Sequence, residues 1–64
     1  MKVYYDKTRE TTELEFTGTA AELLKKLAIN PEIVVITKNS TIITQDDEVS
    51  NDDEIKLLSV VSGG

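Results

Sequence analysis

The chain is 64 residues long, enough for one small domain, and its 12 acidic and seven basic side chains give a net charge of −5. It has no Cys and no His, which excludes a disulfide framework, a zinc–thiolate site and a histidine general base. Because phosphate groups repel an acidic surface, the charge disfavours nucleic-acid binding and favours a basic partner protein.

The first half of the chain is predicted to form a hairpin followed by a helix. Segment 2–7 is β-branched and aromatic, and segment 12–16 alternates apolar and acidic residues like a half-buried second strand. Apolar residues then recur at the spacing of one helix face: Ala20, Leu23, Leu24 and Leu27. Thr19 and Glu22 fit a capping box at the start of this helix, which is about ten residues long and ends before Pro31.

The second half is predicted to contain three strands and an acidic loop. The apolar run 33–37 predicts a buried strand, and 42–43 a short one. The final strand covers 54–61. Between them lies an acidic loop, 45–53, with Val49 as its apolar anchor. The loop lacks the spacing of an EF-hand calcium site, so we interpret it as a solvated segment that steers the chain toward a basic partner.

The element order β-β-α-β-β-β predicts an α+β domain of the β-grasp (ubiquitin-like) type. We expect a mixed sheet of four to five strands with one helix across one face. The first and last strands can pair in parallel at its centre, because the segment between them supplies the long crossover that such pairing needs. The domain is predicted to span residues 1–61, followed by a flexible Gly-Gly tail at 62–64.

A single helix can cover only one face of such a sheet. In the last strand Ile55 and Leu57 are predicted to lie beneath the helix. Leu58 and Val60 then face outward and form a docking surface, because a contiguous exposed apolar patch is usually an interaction site. The residues expected to join them from neighbouring strands are Val34, Ile36 and Tyr4. The alternative is a different register, in which these residues belong to the core.

The chain closes on two glycines, Gly63 and Gly64. Glycine has no Cβ, so four extended residues, about 13 Å long, can carry the Gly64 carboxylate into a narrow pocket of another enzyme. An ionised carboxylate is a poor electrophile and needs activation, for instance as an acyl-adenylate formed from ATP. A sulfur nucleophile of the partner could then replace AMP and leave a thiocarboxylate. The alternative is that the glycines are incidental, since chain ends tolerate glycine.

The closing segment 53–64, the helix residues 23–27 and the element order together resemble the ubiquitin-like sulfur carriers. These include the ThiS and MoaD proteins, the ubiquitin-related modifier of eukaryotes and the small archaeal modifier proteins. The resemblance implies that a ThiF/MoeB-like enzyme of the ubiquitin-activating type, which itself binds ATP and magnesium, adenylates Gly64. A persulfide donor would form the thiocarboxylate, whose sulfur would serve tRNA thiolation, thiamine thiazole or molybdopterin synthesis.

The resemblance also implies an alternative role as a protein modifier, joined through Gly64 to lysines of target proteins. A third possibility is a β-grasp interaction module without conjugation. Two turns depart from the family pattern, Asn39-Ser40 where Asn-Gly is common and 51–53 where Asp-Gly-Asp is common. A type I′ turn would place Ser40 at positive φ. Both departures affect turns and leave the terminus unchanged.

The chain is thus predicted to be a monomeric group carrier, not an enzyme, that binds no cofactor or metal of its own. Its expected partners are the activating enzyme, the sulfur donor and acceptor enzymes, and possible target-protein lysines. The sequence shows no signal-peptide pattern and no apolar run near the roughly 20 residues that span a bilayer. We therefore expect a cytoplasmic protein.

Overall fold

The computed structural model describes residues 1–60, which form a five-stranded mixed sheet with one α-helix on one face. The elements in chain order are β1 (Lys2–Tyr5), β2 (Glu10–Glu13), β3 (Gly18–Thr19), α1 (Ala20–Lys26), a 3₁₀ helix (Pro31–Ile33), β4 (Val34–Lys38), β5 (Thr41–Ile43), β6 (Glu48–Val49) and β7 (Glu54–Ser59). The sheet order is β2-β1-β7-β4-β5, and β3 pairs with β6 separately. The predicted fold class is confirmed. Within residues 1–60, no helix combines the length and hydrophobicity needed to cross a bilayer.

Strand β7 lies at the centre of the sheet. It pairs in parallel with β1, where Val3 is opposite Ile55, and antiparallel with β4, where Ile36 is opposite Leu57. The predicted central pairing of the first and last strands is therefore confirmed. β7 is therefore hydrogen-bonded to a neighbouring strand on each of its two edges.

The start of α1 is fixed by the predicted capping box. The Thr19 hydroxyl accepts a hydrogen bond from the Glu22 amide at 3.2 Å, and the Glu22 carboxylate accepts one from the Thr19 amide at 3.2 Å. Two backbone donors that the first helical turn leaves without partners are satisfied in this way. Such a cap typically contributes about 1 kcal/mol to stability.

The end of α1 comes earlier than predicted. The helix stops at Lys26, and Ala28 adopts the left-handed conformation with φ 59. The Ile29 amide then donates to the Leu24 carbonyl at 2.9 Å, which closes the helix in a Schellman arrangement. The left-handed residue therefore ends the helix, and Pro31 begins the separate 3₁₀ helix that follows.

The core lies between α1 and the sheet. Its buried hydrophobic residues are Val3, Ala20, Leu23, Leu24, Val34, Ile36, Val49, Ile55 and Leu57. Ile55 and Leu57 are fully buried beneath the helix, as predicted. Val49 is also buried, so the acidic loop has the apolar anchor predicted for it, and this residue forms part of β6. Full burial of one such side chain contributes roughly 1.5–3 kcal/mol.

The second strand begins and ends earlier than predicted. β2 covers Glu10–Glu13, whose residues are all exposed, whereas Leu14 and Phe16 follow it and pack against the core. The Phe16 amide is held by the side-chain oxygen of Asn51 instead of by a neighbouring strand. The alternation in 12–16 therefore correctly indicates burial of Leu14 and Phe16 but does not mark the strand.

The two turns that depart from the family pattern contact each other. Asn39 and Ser40 have φ 50 and 71, so the positive φ expected at Ser40 is present. The Asn39 side chain donates to the Asp53 carboxylate at 3.1 Å and accepts from the Glu54 amide at 3.0 Å. The Ser50 amide, which donates to Asp53 at 2.8 Å, is the main reason that the pKa of this carboxyl lies below its usual value. Asp53 thus stabilises the entry into β7.

Candidate functional site

The face of the sheet opposite α1 carries exposed apolar side chains. Because side chains alternate along a strand, the residues of β7 next to buried Leu57 point away from the helix. Leu58 is 40% exposed, and Val60, which directly follows the strand, is 49% exposed. The predicted outward orientation of these two residues is confirmed, and their role in docking a partner stays a prediction.

The side chains of β4 are arranged the opposite way from the prediction. Val34 and Ile36 are 8% and 3% exposed, so their predicted place on the docking surface is wrong. The cause is the register: Ile36 lies opposite Leu57, beneath the helix, and Val35 lies opposite Leu58. Since directly opposed residues share a face of the sheet, Val35 takes the place on the open face that was predicted for its neighbours.

Two further exposed apolar residues border the open face and were not predicted. Ile33 is 40% exposed, and its carbonyl accepts a hydrogen bond from the Val60 amide at 2.8 Å, so the two residues are neighbours. Ile42 is 73% exposed and pairs with Thr37 on β4. A signal for Ile42 exists in the sequence, because only one of the adjacent Ile42 and Ile43 can face the core.

Together these residues form an apolar surface across three adjoining strands. We call it the open-face patch, and its members are Ile33, Val35, Ile42, Leu58 and Val60. Exposed patches of this kind usually mark a site of protein recognition. The patch reaches Val60, the last described residue, so it adjoins the start of the C-terminal segment. Gly63 and Gly64 lie outside the described residues.

The other half of the open face is polar. Tyr4 lies opposite Lys56 and shares its face, as predicted. Lys2, Tyr4, Thr11 and Lys56 line a shallow depression between β1, β2 and β7. The Lys2 ammonium lies 3.9 Å from the Glu13 carboxylate, and both side chains are well exposed, so this ion pair contributes little to stability. The open face is therefore apolar on the side of β4 and β5 and polar on the side of β1 and β2.

Residues 1–60 present the open-face patch next to the start of the C-terminal segment. Among residues 1–60, no polar or charged side chain is buried, and no three acidic side chains are grouped so that they could hold a metal ion. The acidic residues instead contribute to the net charge of −5 and to local caps such as that made by Asp53. The apolar open-face patch therefore belongs to a chain of net negative charge.

Comparisons with known sequences give a consistent picture. The sequence model of the ThiS family matches residues 3–64. The chain is 36% identical over 56 residues to the sulfur carrier protein TtuB of Thermus thermophilus, a match that covers 88% of this chain and 86% of that protein. It is also 39% identical over 57 residues to an uncharacterized protein of Archaeoglobus fulgidus, covering 88% of this chain and 84% of that one.

The fold is also similar to a solved structure. The solution NMR structure of a thiamine biosynthesis protein from Geobacter metallireducens superposes with a TM-score of 0.60. The match covers 100% of this chain and 88% of that protein, at 20% sequence identity. At that identity the likeness establishes the fold, and it agrees with the β-grasp architecture described above.

Proposed function

Because the chain belongs to the ThiS family, we propose that it is a sulfur carrier protein that holds the sulfur as a thiocarboxylate on Gly64. The family match extends to residue 64 and so includes both terminal glycines. The observation that carries the proposal is the position of the open-face patch beside the end of β7. A partner that binds the patch therefore contacts this chain next to the start of the C-terminal segment that carries Gly64.

The reaction begins with a chemically unreactive group. The Gly64 carboxylate is ionised at neutral pH and resists attack by nucleophiles. We propose that a ThiF/MoeB-like activating enzyme, which binds ATP and magnesium itself, transfers AMP to this carboxylate and releases pyrophosphate. The terminal sulfur of a persulfide donor then displaces AMP and forms an acyl disulfide with Gly64. A thiol of the donor or of another protein attacks the donor's sulfur in this bond, so that a new disulfide forms and the Gly64 thiocarboxylate is released. This chain has no Cys, so the sulfur nucleophile comes from another protein.

The folded part of the chain serves recognition in this proposal. Leu58 and Val60 supply the centre of the open-face patch, and a partner that covers them removes their apolar surface from water. The net charge of −5 favours approach to a basic enzyme surface. An extended segment of four residues spans about 13 Å, so the number of residues after Val60 is sufficient to bring the carboxylate into an enclosed active site.

Two candidate functions differ in the nucleophile that attacks the activated Gly64. Transfer of sulfur makes the chain a carrier for tRNA thiolation, thiamine thiazole or molybdopterin synthesis. Attack by a lysine amine instead forms an isopeptide bond and makes the chain a protein modifier. Both reactions start from the same acyl-adenylate. Because its formation needs ATP, we propose that the chain acts as a monomer in the cytoplasm. The match to a sulfur carrier protein supports the first function.

The proposal is tested by ATP–pyrophosphate exchange with the ThiF/MoeB-like enzyme of the same organism. We expect the wild-type chain to support exchange and a chain that lacks Gly64 to lose it, with unchanged thermal unfolding. Ser62→Ala, which keeps both glycines, is the matched control and should retain exchange. Undiminished exchange with the chain that lacks Gly64 would refute the proposal.

A further inference from the structure

The side chain of Asp6 completes the hydrogen-bond ladder at the end of β7. The paired residues of β1 and β7 end at Tyr5 and Leu57. Beyond them, the Asp6 amide donates to the Leu57 carbonyl at 3.1 Å, and the Asp6 carboxylate accepts from the Ser59 amide at 2.8 Å. In a regular parallel ladder the backbone carbonyl of Asp6 would accept that second bond. Here the carboxylate takes its place.

This substitution lets β1 turn away while β7 continues. The chain after Asp6 enters a turn in which the Arg9 amide donates to the Tyr5 carbonyl at 2.8 Å. Asp6 and Ser59 are both half-buried, so the carboxylate–amide bond is partly shielded from water. On the opposite edge of β7, the Val60 amide is held by the Ile33 carbonyl. One hydrogen bond from each side therefore fixes the last two described amides.

We propose that Asp6 is a positioning residue for the activation of Gly64, a role that rests on the proposed function. Its carboxylate fixes the Ser59 amide and so sets the position and direction of the chain at the end of β7, ahead of the segment that carries Gly64. Leu58 and Val60 of the open-face patch flank Ser59 and present side chains to a partner, whereas Asp6 bonds the Ser59 backbone amide from the β1 edge of β7. Loss of Asp6 should therefore disturb delivery of the carboxylate more than docking of the folded part.

Three variants separate the position of the acceptor oxygen from the charge of the side chain. Asp6→Asn keeps an oxygen at the same place and removes the charge. Asp6→Glu keeps the charge but carries the carboxylate one methylene further from its place. Asp6→Ala removes the acceptor. The matched control is Asp53→Ala, which removes another carboxylate that accepts from a backbone amide, at the opposite end of β7.

The readout is the kcat and KM of adenylation by the ThiF/MoeB-like enzyme of the same organism, with each chain as the varied substrate. Misplacing a reacting group by about 1 Å can cost up to 100-fold in rate, so we expect Asp6→Ala and Asp6→Glu to lower kcat about tenfold. Their KM should change less than about twofold, and Asp6→Asn should keep kcat within about twofold of wild type. Asp53→Ala should leave both constants unchanged. Hydrogen exchange of the Ser59 amide should be faster in Asp6→Ala and near wild type in Asp6→Asn.

Each other outcome contradicts the positioning role. Equal losses in Asp6→Asn and Asp6→Ala would assign Asp6 a charge interaction with the enzyme, and a rise of KM at constant kcat would assign it to docking. If Asp6→Ala does not fold, the contrast between Asp6→Asn and Asp6→Glu decides, and equal kcat values for those two overturn the inference. A wild-type chain that is not adenylated would refute the proposed function as well, whereas normal turnover of every variant would refute the positioning role alone.

Discussion

The two faces of the sheet differ in what covers them, although the same strands supply both. Ile55 and Leu57 lie beneath α1 and are fully buried, whereas Leu58 and Val60 on the opposite face are 40% and 49% exposed. Successive residues of one strand thus lie in the core and on the open face in turn, because their side chains alternate. Substitutions one residue apart in β7 should therefore change different properties of the molecule.

The largest expected effect comes from the covered face. Leu57→Ala deletes a fully buried side chain in the central strand and should lower the free energy of unfolding by about 3–4 kcal/mol. A domain of this size has only about 3–10 kcal/mol of stability in total, so the variant should be largely unfolded at moderate urea concentration. Urea denaturation followed by circular dichroism measures the loss. Leu58→Ala is the matched control and should cost less than about 1 kcal/mol.

The next effect comes from the open face. Leu58→Ala should raise the KM for the activating enzyme about tenfold, since truncation of a central apolar contact typically costs 1–2 kcal/mol of binding. Its kcat and unfolding temperature should stay near the wild-type values. Lys56→Ala, on the same strand and face but in the polar half, should change KM by less than about twofold. An unchanged KM in Leu58→Ala would show that the partner does not bind the open-face patch.

The register of β4 places the neighbouring residues Val34 and Val35 on opposite faces of the sheet. Val34→Ala should lower the free energy of unfolding by about 1–2 kcal/mol because Val34 lies in the core, with little effect on KM. Val35→Ala should leave stability within about 0.5 kcal/mol and raise KM instead. Denaturation and adenylation kinetics on the two variants measure both properties. The reverse pattern would mean that β4 is shifted by one residue relative to β7.

The smallest effect concerns the helix that covers one face. Ala28 has φ 59, a conformation that costs a side chain with Cβ more than it costs glycine. Ala28→Gly should therefore stabilise the fold by about 0.5–1 kcal/mol. Ala21→Gly, inside α1, is the control and should destabilise by a similar amount because glycine is a poor helix former. Thermal denaturation of both variants measures these changes in stability. A loss of stability in Ala28→Gly would contradict the left-handed conformation of Ala28 at the end of α1.

Local patterns were sufficient to predict much of the fold and two of the five residues of the open-face patch. The capping box of Thr19 and Glu22 marks the start of the helix, and both partners lie within one turn. In β7, charged Lys56 separates Ile55 from Leu57, so the alternation identifies the covered face and leaves Leu58 outside. The predicted Gly63–Gly64 terminus lies outside the described residues, so its role stays a prediction.

Long-range pairing explains what the sequence could not predict. Residues 33–36 are all apolar, so they contain no alternation to show which of them face the helix. The register with β7 decides the matter, and it places Val34 and Ile36 in the core and Val35 outside. β3 and β6 are two residues long each and depend on pairing with each other, so no local period marks them. Asp6 completes the ladder at a residue 53 positions away in the chain, which no local pattern reveals.

The proposed thiocarboxylate can be detected by measuring the intact mass of the chain purified from its own cells, with tandem mass spectrometry of the C-terminal peptide. We predict a population whose mass has increased by the replacement of one oxygen atom with sulfur, located at Gly64. A chain that lacks Gly64, expressed in the same cells, should not show this change. An unmodified terminus throughout, or the same mass increase in the shortened chain, would contradict the account.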